Sequence, residues 1–300
     1  MQDLCILYNS DELVVVNKPS GIGMHDTQAI QTPSPTSKQI TSQEFISQQL
    51  ASSEPSTQET LTIPGIVTLL KKQLNLSQLH LCHRLDTGTS GCLCLAKNER
   101  TAAEIGELFK TRAVGKYYVA LSESKPKKKQ GAIIGDMKNR RGGQRILLKT
   151  TEKPAITQFF SQSAKPGVRG FIVKPFTGKT HQIRVALKSI GAPINGDALY
   201  GGNNAERLNL HAWRLMLPLK TGLVSVSANV ETRIAFFEKN DFAFKQYEDG
   251  FADPQIQEWF SQLQPPETLP WPNLPKGLSP LKGKVLDEAS VNELAPKESN

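Results

Sequence analysis

Residues 83–96 constrain this chain more than any other stretch: His83-Arg84-Leu85-Asp86-Thr87-Gly88-Thr89-Ser90-Gly91 runs directly into Cys92-Leu93-Cys94-Leu95-Ala96. The second part has the length and apolar character of a buried strand. The first part is rich in small, turn-forming residues. Asp86 is therefore expected on a loop at the mouth of a buried strand, where a rigid scaffold aims side chains at ligands. Taken locally, an Asp before Thr-Gly is also an ordinary turn former that accepts bonds from nearby backbone N–H groups. Local sequence does not separate these readings, so the rest of the chain must.

Charge narrows the partners. The chain of 300 residues carries a formal net charge of +8. Residues 110–149 alone hold twelve Lys or Arg against Glu123 and Asp136. A basic segment of this density suits a phosphate backbone, with an affinity that falls as salt rises. Lys127, Lys128 and Lys129 are its densest run, and Arg140 and Arg141 precede Gly142-Gly143, where flexible backbone can lie close to a ligand. The plainer reading of such a run is a solvated surface loop. No apolar run reaches membrane-spanning length, and Met1–Val16 lacks the basic and long apolar regions of a signal peptide. Four cysteines, at 5, 82, 92 and 94, are too few for a disulfide framework and fit a reducing cytoplasm.

The pattern predicts strand, turn and strand over 5–24, helices over 66–79, 101–111 and 180–190, and strands over 116–121, 145–149, 155–160 and 170–174. Twenty of the 34 residues from 27 to 60 are Ser, Thr or Gln, which implies a flexible polar insertion. A short helix over 43–50 is compatible with it. Trp259 and Phe260 suggest a short packed helix, and six prolines between 265 and 280 suggest a frayed tail from Gln264.

Beyond His83–Gly91, more blocks occur in a fixed order: Leu7 to Gly21 with its Asn17-Lys18-Pro19-Ser20-Gly21 turn; Lys116-Tyr117-Tyr118-Val119-Ala120; Gly178-Lys179-Thr180-His181-Gln182-Ile183-Arg184-Val185; Gly191 to Gly201; and Leu208-Asn209-Leu210-His211-Ala212. Together they resemble the RluA family of RNA pseudouridine synthases. That resemblance implies an α/β (α+β) fold: a long mixed, mostly antiparallel sheet flanked by helices, with a central catalytic cleft. It implies a catalytic domain over 1–232 and a C-terminal extension over 233–300. It also implies an activity, isomerisation of uridine to pseudouridine in a tRNA or rRNA stem-loop. The reaction breaks the C1′–N1 bond, turns the uracil and forms a C1′–C5 bond. No atom is gained or lost, so no cofactor and no metal is required. A compact monomer is expected, without the small N-terminal RNA-binding module that many relatives carry.

By the same resemblance Asp86 is the catalytic carboxylate, either attacking C1′ or removing a sugar proton. Arg184 is its cationic partner, because a partly desolvated carboxylate needs one to stay ionised. Tyr118 is the active-site tyrosine, facing the pocket while Tyr117 faces away. Leu210 packs under the base. Arg84 fills the space left by the extruded base or binds its phosphate. His83 and His181 are given structural roles, since the isomerisation needs no histidine. Competing readings are weaker. His80, Cys82, His83, Asp86, Cys92 and Cys94 fall close together, but the spacing is not that of a zinc site and Cys92 and Cys94 suit a strand core. A binding module without catalysis needs no such carboxylate, tyrosine and arginine. A hydrolase would need a second carboxylate or a base to activate water.

Overall fold

The computed structural model describes residues 3–30, 60–238 and 241–274. In chain order the elements are β1 (Cys5–Asn9), β2 (Leu13–Lys18), β3 (Thr27–Ile30), β4 (Thr60–Ile63), α1 (Ile66–Leu74), β5 (His80–Leu81), β6 (Ser90–Ala96) and α2 (Glu99–Lys110). They continue with β7 (Gly115–Ser122), β8 (Gln130–Gly135), β9 (Met137–Asn139), β10 (Arg145–Leu147), β11 (Ala155–Lys165), β12 (Val168–Pro175), α3 (Gln182–Ser189), β13 (Leu210–Leu219), β14 (Gly222–Ser227), β15 (Arg233–Glu238), β16 (Asp241–Gln246) and α4 (Pro254–Ser261).

One large sheet runs β1-β2-β6-β13-β7-β12-β11-β8, with β14 on β13 and β5 on β6. Among the described residues its only parallel strand pair is β6 with β13, so the sheet is mixed and mostly antiparallel, as expected. Both faces are covered, which explains why β2 and β6 read as unbroken apolar runs rather than alternating ones. Val14, Val16, Leu93 and Leu95 pack with Ile66, Leu69 and Leu70 of α1. Leu13, Val15, Cys92 and Cys94 pack the other way, with Ile105 of α2. Each such side chain, withdrawn fully from water, contributes about 1.5–3 kcal/mol. Further along the sheet, Ile183, Ala186 and Leu187 of α3 cover Phe171 and Val173, while Ile256, Trp259 and Phe260 of α4 cover Val119, Leu121 and Ile172.

Helix ends follow local chemistry. The expected helix over 66–79 stops at Leu74 because Asn75 turns into the left-handed region, at φ 51°. Asn98 caps α2 by accepting from the Thr101 N–H. Asp253 caps α4 with Pro254 in the first turn, so the short packed helix around Trp259 begins at a well-formed stop.

Three expectations need correcting. The insertion does not begin at residue 27: Thr27–Ile30 and Thr60–Ile63 pair as antiparallel strands, and residues 31–59, with the helix expected over 43–50, lie outside the described residues. The basic segment holds two strands that the pattern did not predict, β8 and β9, beside the expected one at β10; the sequence hides β8 because its apolar centre is only Ala132-Ile133-Ile134. The tail does not start at Gln264 either. Trp271 packs against Phe160 at 4.9 Å and Tyr117 at 6.0 Å between ring centroids.

The junction of β6 and β13 is the tightest point. Gly91 has φ 109°, and a Cβ there would land on the Ala212 carbonyl oxygen. Gly91→Ala combines backbone strain with a backbone clash, so a loss of about 3 kcal/mol is expected. Urea denaturation of the variant tests this; a midpoint equal to wild type would refute the close approach.

Candidate active site

Asp86 lies on the loop between β5 and β6, and the Thr89 N–H bonds its own carbonyl to close a turn. The turn at Asn17–Gly21 holds this loop from below. Lys18 is completely buried, and its Nζ donates to the carbonyls of Pro19 at 2.8 Å, Ile22 at 3.0 Å and Thr87 at 3.1 Å. The Ser20 hydroxyl donates to the Gly88 carbonyl at 2.9 Å, and the Gly21 N–H to the Thr87 carbonyl at 2.9 Å. The two residues that follow Asp86 are thus bonded to a block some 69 positions earlier. Burial, then the charge of Arg207, bring the Lys18 pKa down to about 7, while Asp86 pulls it up. Arg207 is buried too, held by the Leu208 and Glu231 carbonyls and the Ser90 hydroxyl.

Arg184 reaches the site from the first turn of α3. Its Nε and Nη2 each lie 2.8 Å from a different oxygen of Asp197, and its Nη1 lies 3.4 Å from Asp86 Oδ2. Burial works against the guanidinium charge; the hydrogen bonds and charge of Asp197, with Asp86, more than offset this and raise its pKa. His181 Nε2 stands 3.9 Å from the same Asp86 oxygen. Its Nδ1 is 2.9 Å from the Tyr200 hydroxyl, which also accepts from the Arg145 N–H at 2.9 Å. Asp86 Oδ1 has no hydrogen-bond partner among the described residues.

These groups open on a cleft of about 510 Å³. Asp86, Tyr118, Arg184, Leu210 and Arg84 all line it. Tyr118 is half-buried there, and Tyr117 points to the other face, against Trp271 and Lys174. Burial, then the charge of Asp86, push the Tyr118 phenol well above its ordinary pKa, so it remains a proton donor. Arg84 is exposed at the rim and makes no ion pair among the described residues. Lys110, Arg112, Lys116 and Lys179 also line the cleft. Burial, then Arg112, bring Lys116 down to about 8.

The comparisons with known proteins agree with this site. Residues 12–189 match the family model described as RNA pseudouridylate synthase. The chain belongs to the RNA pseudouridylate synthase family. An RNA pseudouridine synthase of Haemophilus influenzae is 42% identical over 224 residues, covering 74% of this chain and 85% of that one. The dual-specificity RNA pseudouridine synthase RluA of Escherichia coli is 29% identical over 71% of this chain and 86% of its own length. Among solved structures, human RNA pseudouridylate synthase domain containing 1 superposes with a TM-score of 0.56 at 23% identity, over 88% of this chain and 97% of that one, which speaks for the fold alone. The activity is that of an RNA pseudouridine synthase, an isomerase acting on RNA. Among the described residues no helix is long and apolar enough to cross a membrane.

Several residues of this synthase site escaped sequence reading, and two basic groups read as RNA-backbone contacts lie outside the cleft. Lys127, Lys128 and Lys129 are exposed ahead of β8 and do not line the cleft. Arg140 and Arg141 sit at the turn between β9 and β10, and Arg140 lines a separate groove of about 470 Å³ with Arg145 and Lys188. The Lys-rich run drew attention by density, whereas the cleft cations are scattered singly along the chain. Asp197, Tyr200 and Lys18 were missed because an acid, a phenol and a lysine inside glycine-rich turns carry no local sign of their partners. His80, Cys82, His83, Asp86, Cys92 and Cys94 form no group of three or more poised to hold a metal among the described residues.

Two histidines brace the synthase loop in neutral form. His83 Nε2 accepts from the Cys94 N–H at 3.0 Å while its ring stacks on Phe109, and burial, then Lys116, lower its pKa to about 3. His211 is bonded to Ser90 and to the Ala228 carbonyl, and burial lowers it to about 3 as well. Unfolded, each takes a proton near pH 6.5; folded, neither does until about 3. The unfolded state binds more protons between those values, so stability is full above 6.5 and is lost as pH falls, by about 1.4 kcal/mol per pH unit for each histidine. His83→Phe, which keeps the ring stack, is expected to remove one proton's worth of slope. Urea midpoints from pH 7 to 4.5 give the answer, and parallel profiles for the two proteins would be the refuting result.

Proposed function

We propose that Asp86, Tyr118, Arg184, Leu210 and Arg84 carry the isomerisation, with Asp86 as the group that acts on the ribose. The observation that carries this reading is the convergence of side chains from four distant segments, β5–β6 loop, β7, α3 and β13, on one cleft. Its volume is of the size that holds a single small-molecule group, such as one extruded nucleoside. Asp86 Oδ2 is held by Arg184, while Oδ1 is free to meet C1′ or to take a sugar proton. Both routes need an ionised carboxylate with one uncommitted oxygen. Arg184 sets a cation beside that carboxylate, and Leu210 supplies an apolar floor beneath the base. Tyr118 lines the wall, where its ring offers a stacking surface, and keeps its hydroxyl proton for donation. As uracil turns, C5 loses a proton and N1 gains one, and a protonated phenol beside the base is placed for that exchange.

The substrate in this reading is a structured RNA, a tRNA or rRNA stem-loop. A similar chain in Rickettsia felis bears the name ribosomal large subunit pseudouridine synthase C. Phosphates flanking the target would meet Arg84, Lys110, Arg112, Lys116 and Lys179 at the cleft rim, with Lys127, Lys128, Lys129, Arg140 and Arg141 adding longer-range attraction. The reading takes the protein as a monomer, and four unpaired thiols suit a reducing cytoplasm.

Asp86→Asn and Asp86→Ala are expected to abolish pseudouridine formation while RNA affinity stays within a few-fold. Pseudouridine mapping of total RNA from cells carrying wild-type or Asp86→Asn protein names the modified uridine; persistence of every site in the variant would refute the role of Asp86. Arg112→Gln with Lys116→Gln should weaken RNA binding and flatten its salt dependence by about one to two log units of slope, whereas neutralising Lys127–Lys129 should act less. Filter binding across a salt series measures both, and the opposite order would move the RNA path away from the cleft rim.

A further inference from the structure

We propose that Tyr200 and His181 form a positioning relay that fixes which His181 nitrogen carries the proton, so that His181 Nε2–H faces Asp86 and leaves its second oxygen to the substrate. The proposal rests on the assignment of Asp86 above and goes beyond it to residues given no part in the reaction.

The argument starts at the backbone of β10. The Arg145 N–H donates to the Tyr200 hydroxyl oxygen at 2.9 Å. A phenol has one proton to give. Tyr200 is buried, and its hydroxyl has one other partner among the described residues, His181 Nδ1 at 2.9 Å. If Tyr200 donates to Nδ1, every group is satisfied, and the ring proton must sit on Nε2. If Nδ1 carried the proton instead, the Tyr200 proton would lose its acceptor and the Nε2 lone pair would face the Asp86 carboxylate at 3.9 Å. Both consequences are unfavourable, so donor counting selects one tautomer.

Geometry supports a fixed ring. Tyr200 and His181 meet edge to face, with centroids 5.7 Å apart at 85°. Tyr200 is itself clamped: its N–H lies 3.2 Å from Asp197 Oδ1, and the Arg184 guanidinium carbon stands 5.0 Å from its ring centre. His181 has φ 57°, a left-handed conformation that a non-glycine residue adopts only under constraint. Here it turns the ring from the mouth of α3 back towards Asp86. Burial, then Arg184, lower the His181 pKa, with Asp86 and Asp197 pulling the other way and Arg145 adding to the lowering. The ring is thus neutral, and its charge does not compete with Arg184 for Asp86. A separation of 3.9 Å is longer than a hydrogen bond. Such contacts tighten when substrate closes a site, and His181 Nε2–H and Arg184 Nη1 then share Oδ2 while Oδ1 remains free.

The test has two parts. Long-range ¹H–¹⁵N correlation on full-length protein labelled at histidine reads the protonation of each ring nitrogen at neutral pH, with His181 assigned by its loss in His181→Ala. The expected spectrum has His181 protonated at Nε2 only, and in Tyr200→Phe the signal shifts towards Nδ1 protonation. A wild-type ring protonated at Nδ1 overturns the proposal, even if Tyr200→Phe does not fold. Kinetics give the second part. Tyr200→Phe should lower kcat by about 10- to 100-fold through misplacement of Asp86, with KM for RNA within about threefold. His181→Gln, whose side-chain N–H reaches the place of Nε2–H, should retain several times the kcat of His181→Ala; both carry the same left-handed backbone strain. The double variant His181→Ala/Tyr200→Phe should be no slower than His181→Ala, because Tyr200 acts through the ring. Losses that multiply, or a change confined to KM, overturn the relay. Full activity of Asp86→Asn would instead overturn the assignment of Asp86, with the tautomer spectrum unchanged.

Discussion

Everything in the cleft is organised around how unequally one guanidinium divides itself. Arg184 gives two 2.8 Å bonds to Asp197 and one 3.4 Å contact to Asp86. The paired bonds to a buried carboxylate are the strong kind, planar and charge-assisted. They hold the guanidinium plane so that its third edge must face Asp86. The weaker contact is the useful one. A carboxylate gripped in a bidentate pair is stabilised in its resting state and is a poor group to act on a sugar. At an effective dielectric constant of about 20, charges 4 Å apart attract by roughly 4 kcal/mol, enough to orient Asp86 through one oxygen without committing both. Asp197 thus carries the rigidity, and Asp86 keeps its freedom.

The backbone beneath Asp86 is held by a different device. Lys18 and Arg207 are both buried, and among the described residues their hydrogen bonds run to carbonyls and a hydroxyl rather than to a carboxylate. Buried charge that touches no carboxylate directly is costly; converging polar atoms offset that cost, with Asp86 acting on Lys18 and Glu231 and Asp249 on Arg207 through space. The arrangement ties the turn after β2, the loop before β6 and the start of β13 into one block. Residue Gly91 lets β6 and β13 approach at that same point. A substitution that loosens any of these three segments would be felt at Asp86, since the loop that carries it is bonded to the other two.

Much of this was legible in the sequence, and the parts that were not share a cause. The loop and buried strand at 83–96 read correctly because apolar content and turn residues are local signals. Tyr118 came from resemblance; alternation said only that Tyr117 and Tyr118 face opposite ways, and Tyr118 is the one that lines the cleft. Leu210 and Arg184 were found through resemblance rather than physics; a lone arginine on a short helix has no local mark of function. Asp197, Tyr200 and Lys18 were invisible because their meaning lies in partners 13 to 69 residues away. The end of α1 at Leu74 turned on a single left-handed Asn75, and the packed stretch to Trp271 was masked by prolines that usually signal loose chain.

Charge illustrates the same limit. Density pointed to Lys127–Lys129, but exposed lysines act through water and salt, with a reach of about 8 Å at physiological ionic strength. Lys116 stands partly buried in the cleft wall, where lower solvent access makes its charge count for more, and exposed Arg112 lines the same cleft. The basic segment is better seen as three parts: cations in the cleft, a fully solvated run before β8, and the β9–β10 hairpin beside its own groove. The hairpin joins binding to chemistry in the proposed reading. The side chain of Arg145 lines the groove, while its backbone N–H sets the first link to Tyr200 and so to Asp86. An RNA seated against that hairpin would press on the element that orients the reactive carboxylate, which places recognition and catalysis on one short strand.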